Sequence, residues 1–261
     1  MKTLFDHFGD LWPESRRAVL EPVLKSVFFV ELKDGNPVVS GAVHPQSTIV
    51  IVDDPKLLDL PKLSLMGYEH IVQRSRSDFA QELLVSALMI ARPAGFTNNP
   101  LPFLFNGFVG SEIAGQPNGL IIPFHRSSDK QNVLSELEKF MARSTRLSGV
   151  ADLCLQTADE LFTNAIFGAP VDRDGQALFD KRPRTSQVVL PTTSTTEMFA
   201  HCNEERVVIG CQDSFGSIRK ENILIRLKAL YSAPKSSPLF TTPGAGLGFK
   251  YMIDNSANFY L

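Results

Sequence analysis

The chain lacks the features that would commit it to several common classes. Its three cysteines, Cys154, Cys202 and Cys211, show no Cys-x-x-Cys spacing, so neither a disulfide framework nor a zinc ribbon is written into its 261 residues. An odd count without a framework fits a reducing cytoplasm. His201 beside Cys202, with Cys211 nearby, invites a metal site, but a strand pair with a small buried thiol is the plainer reading. An excess of one charge is also missing: 26 Lys and Arg against 28 Asp and Glu leave a net charge of -2. That balance provides no basic footprint for nucleic acid. No apolar run approaches the roughly 20 residues of a membrane span, and the stretch from Leu83 to Ala91 reads as a buried helix face. Asp6 and Asp10 fall where an export signal would be apolar. The expectation is a cytoplasmic protein that engages neither nucleic acid nor membrane.

Proline and glycine crowd one place. Between Pro93 and Pro117 lie Pro100, Pro102, Gly95, Gly107, Gly110 and Gly115, a density that breaks helix and strand. Residues 93–117 are therefore read as a connector between a domain at 1–92 and another at 118–261. Phe96, Phe103, Phe105 and Phe108 within it argue for a connector pinned to one domain rather than a free tether.

In the first domain, residues 48–54 (TIVIVDD) form a β-branched run that predicts a buried strand. A leucine-rich segment from Lys56 to Met66, with Pro61 inside it or at its start, predicts a helix stopped by Gly67. Tyr68 to Gln73 predicts a second strand. Asp78 is placed to cap a helix whose Phe79, Leu83, Leu84, Ala87, Leu88 and Ala91 share a face. Strand, helix, strand, helix in that order implies a parallel α/β unit. This segment resembles the last half of a response-regulator receiver domain, with residues 67–74 (GYEHIVQR) in the place of its fifth strand. Gln73 and Arg74 stand where that strand ends in lysine and proline, so the resemblance implies a degenerate receiver without phospho-relay. Asp53 and Asp54 follow the wrong strand for the family's acidic pocket and read as solvated strand-end acids. Residues 1–47 read as too short and irregular for a complete first half.

In the second domain, residues 119–125 (GLIIPFH) predict a strand and Ser128 or Asp129 a helix cap. Val133, Leu134, Leu137, Phe140 and Met141 then recur at helical spacing, and a second helix is expected from Val150 to Phe167, with Leu153, Leu161 and Ala165 on its apolar face. Glu160 and Asn164 are four apart on it and project together. Alone, such a pair is an ordinary solvated or capping couple. Farther on, Glu197 to His201 and Arg206 to Gln212 read as a hairpin, with Val207, Ile209 and Cys211 on one face. Residues 242–253 (TPGAGLGFKYMI) place glycines before a helical run, where backbone N–H groups can approach phosphates.

Three of these strings, in this order, resemble the boxes of the histidine-kinase-like (GHKL) ATPase superfamily. The first is 158–170 (ADELFTNAIFGAP), the second 209–218 (IGCQDSFGSI) and the third 242–253. The resemblance implies an α/β fold of the α+β sandwich, Bergerat type, whose cofactors are ATP and Mg²⁺. It makes Asn164 a Mg²⁺ ligand through its amide oxygen and Glu160 the group that orients or deprotonates a nucleophile. Asp213 would accept from the adenine amino group, and Gly216 would let the backbone turn close to the base. Gly244, Gly246, Leu247 and Gly248 would line the phosphates, with Lys235 closing over them from a lid at 231–243. Phe167 and Gly168 occupy a stretch where the family often has a basic residue. Phe215 and Ser217 replace two family glycines; that variant, with residues 170–179 (PVDRDGQALF), resembles a receiver-plus-ATPase group in bacteria. A helix is expected between Ile218 and Tyr231. The family's two last strands have no counterpart before Leu261, so an incomplete sheet with an unpaired or substituted edge is expected.

What the resemblance implies for activity divides three ways. One is a kinase of the anti-sigma-factor type, acting on a serine or threonine of a protein signalling partner. Another is a non-catalytic module in which ATP closes the lid and alters a partner surface. A histidine kinase proper would need an acceptor histidine on a long helix, and His7, His44, His70, His125 and His201 sit in short or strand-like contexts. A homodimer is left open.

Overall fold

Thr48–Val52 is β-branched without interruption, and the computed structural model buries all five residues inside a sheet. The structure describes residues 3–38, 44–53, 60–98, 104, 119–143, 149–202, 207–219, 222–223, 225–226, 229, 247–256 and 258–260. It divides into two units, Met1–Gly115 and Gln116–Leu261.

The first unit holds strands β1 (Phe28–Lys33), β2 (Asn36–Val38), β3 (Thr48–Val52) and β4 (His70–Gln73) in the order β2-β1-β3-β4. β1, β3 and β4 run parallel, and β2 folds back on β1 through a turn at Asp34 and Gly35, both at positive φ. A parallel strand covered on both faces needs apolar residues at every position, and β3 has them. Ile49 and Ile51 pack with helices α1 (Leu4–Phe8), α2 (Glu14–Ser26) and α4 (Phe79–Ala91). Val50 and Val52 pack on the other face with Val30, Leu32, Tyr68 and with Leu63 of α3 (Leu60–Leu65). The parallel α/β reading of this region therefore holds.

Several details differ from the sequence expectation. The described part of residues 1–47 is regular rather than irregular. Thr3 and Asp6 form a reciprocal cap on α1 (Oγ1 to Oδ2 2.7 Å), and α2 carries Pro22 within it. Asp78 precedes α4 but does not cap it, because both its oxygens accept from Arg76, at 2.8 and 2.9 Å. Helix α4 is buried through Glu82 and Leu83–Leu88, whereas Ala91 at its end is exposed. Pro93–Asn98, expected to be broken, is a short helix (α5); proline is at home in a helix's first position, where its missing N–H has no bond to lose. Phe96 there packs on the first unit's core. Phe103, Phe105, Phe108 and Asp54 lie outside the described residues.

The second unit is built on an antiparallel sheet, β5 (Gly119–Pro123), β6 (Thr196–Cys202) and β7 (Val207–Asp213), in that order. Helices α6 (Lys130–Ala142) and α7 (Ala151–Thr163) cover one face. Their Val133, Leu137, Phe140, Met141, Ala158 and Phe162 meet Ile122, Met198 and Ala200 of the sheet, and the rings of Phe124 and Phe162 lie 4.5 Å apart. Val207, Ile209 and Cys211 pack on this core as expected, but Leu153 of α7 is 36% exposed. The expected cap on α6 serves the turn before it: Asp129 accepts from the N–H groups of His125 and Arg126, at 3.0 and 2.8 Å. On the sheet's other face Gly210 lies beneath the Phe199 ring, which a β-carbon there would enter. Asn222, Ile223, Ile225, Arg226 and Ala229 are helical, as expected for part of 218–231. The last helix is α8 (Leu247–Asp254), and the described residues beyond it form no strand. Among the described residues this sheet therefore has three strands, with β5 and β7 at its edges.

Candidate functional site

Residues along a strand alternate between faces, so the helix-facing row Val207, Ile209, Cys211 is completed by Asp213. Asp213 is thus turned toward the helices at the C-terminal end of β7. Its Oδ1 accepts from the N–H of Phe215 at 2.8 Å, closing a tight turn. Ser214 Oγ accepts from the N–H of Thr195 at 3.0 Å, tying that turn to β6. Gly216 has φ of +60°, a conformation glycine adopts without strain, and open space surrounds its α-carbon. Glycine is therefore needed at 216 for backbone shape rather than for room. Phe215 packs on the helix core.

Helix α7 carries Glu160 and runs into a π-helical turn at Asn164–Gly168, marked by the bond from Ala169 N–H to the Asn164 carbonyl at 2.8 Å. Single π turns widen a helix locally and recur at functional positions. Asn164 begins this one. Its Nδ2 is buried and has no hydrogen-bond partner among the described residues. Buried amide groups seldom remain unpaired, so this one marks a place where a partner is missing. Beside them, Lys130 of α6 pairs with Asp159 (Nζ to Oδ1 2.6 Å) and donates to Thr163 Oγ1 at 3.3 Å. Sequence reasoning missed Lys130; the only available signal was the Asp159 and Thr163 spacing of four beside Glu160 and Asn164.

The third string meets the first. Gly248 in the first turn of α8 lies so close to Glu160 that an added β-carbon would overlap the carboxyl group. Tyr251, one turn on, donates its hydroxyl to Gln156 Oε1 on α7. The structure therefore brings together Glu160 and Gly248, and it sets Asp213 on the sheet face that α7 covers. Leu247 begins α8, whereas Gly244, Gly246 and Lys235 lie outside the described residues.

Burial first, then the nearby Asp213 and Glu197 charges, push the Cys211 thiol up to about 12. Burial alone pushes Cys154 on α7 up to about 11. Burial also holds His201 below its ordinary value. His201 and Cys202 are adjacent in β6 and so face opposite sides of the sheet, which rules out joint chelation. No group of three or more His, Cys, Asp or Glu among the described residues could hold a metal ion. Nor is any described helix long and apolar enough to cross a membrane.

One further residue at this end of the sheet escaped the sequence reading. Thr196 is paired in register with Asp213, is 2% exposed, and has an Oγ1 without a hydrogen-bond partner among the described residues. No motif contains it. The insert after the π turn is exposed from Asp172 to Leu178 and is held by its own turn, and the chain returns to the core only after it. Asp172 Oδ1 accepts from the N–H groups of Asp174 and Gln176, at 2.9 and 2.8 Å. Arg184 lies 4.9 Å over the ring of buried Phe167, and Val188 and Leu190 enter the core. No family model, curated protein or solved structure matches the chain.

Proposed function

We propose that the second unit is an ATP-binding signalling domain resembling the histidine-kinase-like ATPases, which uses Mg²⁺ and acts on a protein partner. The observation that carries this reading is the contact between Gly248 and Glu160, which joins two strings 88 positions apart that the resemblance requires to share a site. The residues fit the implied cofactors in three respects. Asp213 keeps a carboxylate oxygen beyond the one held by Phe215, on the helix-covered face, as an acceptor for an amino group. The buried, unpartnered amide of Asn164 presents an acceptor oxygen once turned about its own axis, and Mg²⁺ prefers such oxygen ligands. The first turn of α8 offers N–H groups and the favourable end of a helix dipole to an anion.

On this reading the activity is phosphoryl transfer to a serine or threonine hydroxyl of the partner. Glu160 would accept the proton of the attacking hydroxyl and Asn164 and the α8 turn would hold the nucleotide's charged groups, ATP supplying the phosphoryl group and leaving as ADP. A second reading is favoured by the same contact. A carboxylate against the start of α8 occupies ground that anionic phosphates also need, so a domain whose Glu160 stays there binds ATP and changes shape without turnover.

Calorimetry of the full chain with ATP and Mg²⁺, followed by incubation with γ-labelled ATP and lysate, tests both readings. ATP binding is expected, with Asp213→Asn at least about tenfold weaker, the loss of one charged hydrogen bond. Glu160→Gln should bind ATP and, under the kinase reading, transfer no label. Absence of ATP binding by the unaltered chain would sink the whole proposal, and binding without transfer or hydrolysis would leave the module.

A further inference from the structure

Thr196 is almost wholly enclosed, at 2% exposure, and its hydroxyl has no partner among the described residues. Its backbone is accounted for: the carbonyl accepts from the Phe124 N–H at 3.0 Å, and the residue sits in the β6 ladder. A threonine in a helix can return its hydroxyl to a carbonyl four residues back, an outlet that a strand does not offer. Leaving a buried hydroxyl unmatched is costly, so such groups are uncommon unless something absent completes them.

The position says what kind of partner that is. Thr196 and Asp213 are directly opposite in the antiparallel pair, which brings their β-carbons within about 4.5–5.5 Å on one face. That face is the helix-covered one, since Met198 and Ala200 follow Thr196 on it and enter the core. The neighbouring hydroxyls have partners: Ser194 donates to the Pro191 carbonyl at 2.7 Å, and Ser214 accepts from Thr195. A carboxylate only accepts, whereas a hydroxyl donates and accepts. Side by side, they match a ligand edge that presents a donor next to an acceptor. Adenine has that edge in its amino group and adjacent ring nitrogen. Guanine reverses both, setting a carbonyl against the carboxylate.

We propose that Thr196 is a nucleobase-binding residue, its hydroxyl reading the adenine ring nitrogen beside the amino group assigned to Asp213. The proposal rests on the ATP-binding reading above and adds to it a residue outside all three motifs. Its test is calorimetric titration of ATP and ADP, with Mg²⁺, into the full chain and its Thr196→Val and Thr196→Ser variants. Each protein's unfolding temperature is measured without nucleotide. Valine keeps the branched shape and removes the hydroxyl. Thr196→Val should lose about tenfold in affinity for ATP and ADP alike, the worth of one buried hydrogen bond. Thr196→Ser should stay within about threefold of the original. The nucleotide-free unfolding temperature of Thr196→Val should be unchanged or higher, since no protein contact is lost. Unaltered affinity in Thr196→Val overturns the proposal while leaving the ATP reading intact, as does a loss confined to ATP. A lower nucleotide-free unfolding temperature in Thr196→Val also overturns it, because the hydroxyl would then serve the fold. Failure of the unaltered chain to bind either nucleotide overturns both.

Discussion

In the first unit charged groups at the strand ends pair with one another, whereas in the second a hydroxyl at a strand end is enclosed and unmatched. Arg74, just past β4, donates to Asp53 at 2.9 Å and also to Glu31, and its guanidinium lies 5.5 Å over the Phe8 ring. Asp53, 64% exposed, is the solvated strand-end acid its sequence context suggests, here paired with Arg74. In the second unit, Asn164 Nδ2 and Thr196 Oγ1 are buried without partners. The first unit has one such group among the described residues, Gln81 Nε2; it lies on a helix, as Asn164 does, so the contrast rests on Thr196 at the start of β6. The sheets explain the contrast. A parallel sheet packed on both faces fills its inner positions with apolar residues, and here the Arg74, Asp53 and Glu31 charges meet at its rim. A sheet covered by helices on one face has an enclosed end where Asp213 and Thr196 can face inward. Self-neutralised charges fit a structural role, and enclosed unmatched groups fit a binding role.

The comparison can be broken at three points. The largest effect is expected at Ile51, fully buried in β3: Ile51→Ala should cost about 2–5 kcal/mol in urea denaturation. A loss well under 1 kcal/mol would show that the two-faced packing of this strand is not what holds the first unit. Next comes Gly248→Ala, whose new methyl group must displace the Glu160 carboxyl or move α8. It should cost about 1–3 kcal/mol and weaken ATP binding at least tenfold. An unaffected Gly248→Ala would mean that α8 and α7 do not meet as described. The smallest effect is expected at the rim: Arg74→Ala should change stability by no more than about 1 kcal/mol, because solvent screens its ion pairs. A larger loss would make that cluster more than a neutralised rim.

Much of this architecture was legible from residue spacing, and the misses have common causes. The β3 run, the buried face of α4 and the Val207, Ile209, Cys211 row were readable because period and apolar character coincide there. Residues 1–47 read as irregular from sequence, and residues 93–117 read as broken by proline and glycine. Yet Pro22 stands within a helix and Pro93 begins one, and Leu20, Val23 and Leu24 carry the packing of the former. Asp78 and Asp129 stand at the expected N-cap positions, but their side chains bond elsewhere, since an aspartate's choice among nearby donors depends on geometry that spacing does not encode. In the candidate site, Glu160, Asn164 and Asp213 were visible as members of motifs. Thr196 was not, because its interest comes from a register pairing and a missing partner. Both are properties of the folded chain, and a threonine in a β-branched context looks like any other strand residue.

Gly210 and Phe199 are joined across the β6–β7 ladder more tightly than their residue types suggest. No side chain fits at 210 while the phenyl ring covers it, so the two positions can change only together. A search for second-site suppressors of Gly210→Ala should therefore return smaller residues at 199, making this pair a genetic reporter of strand register in a sheet whose far end holds the candidate site.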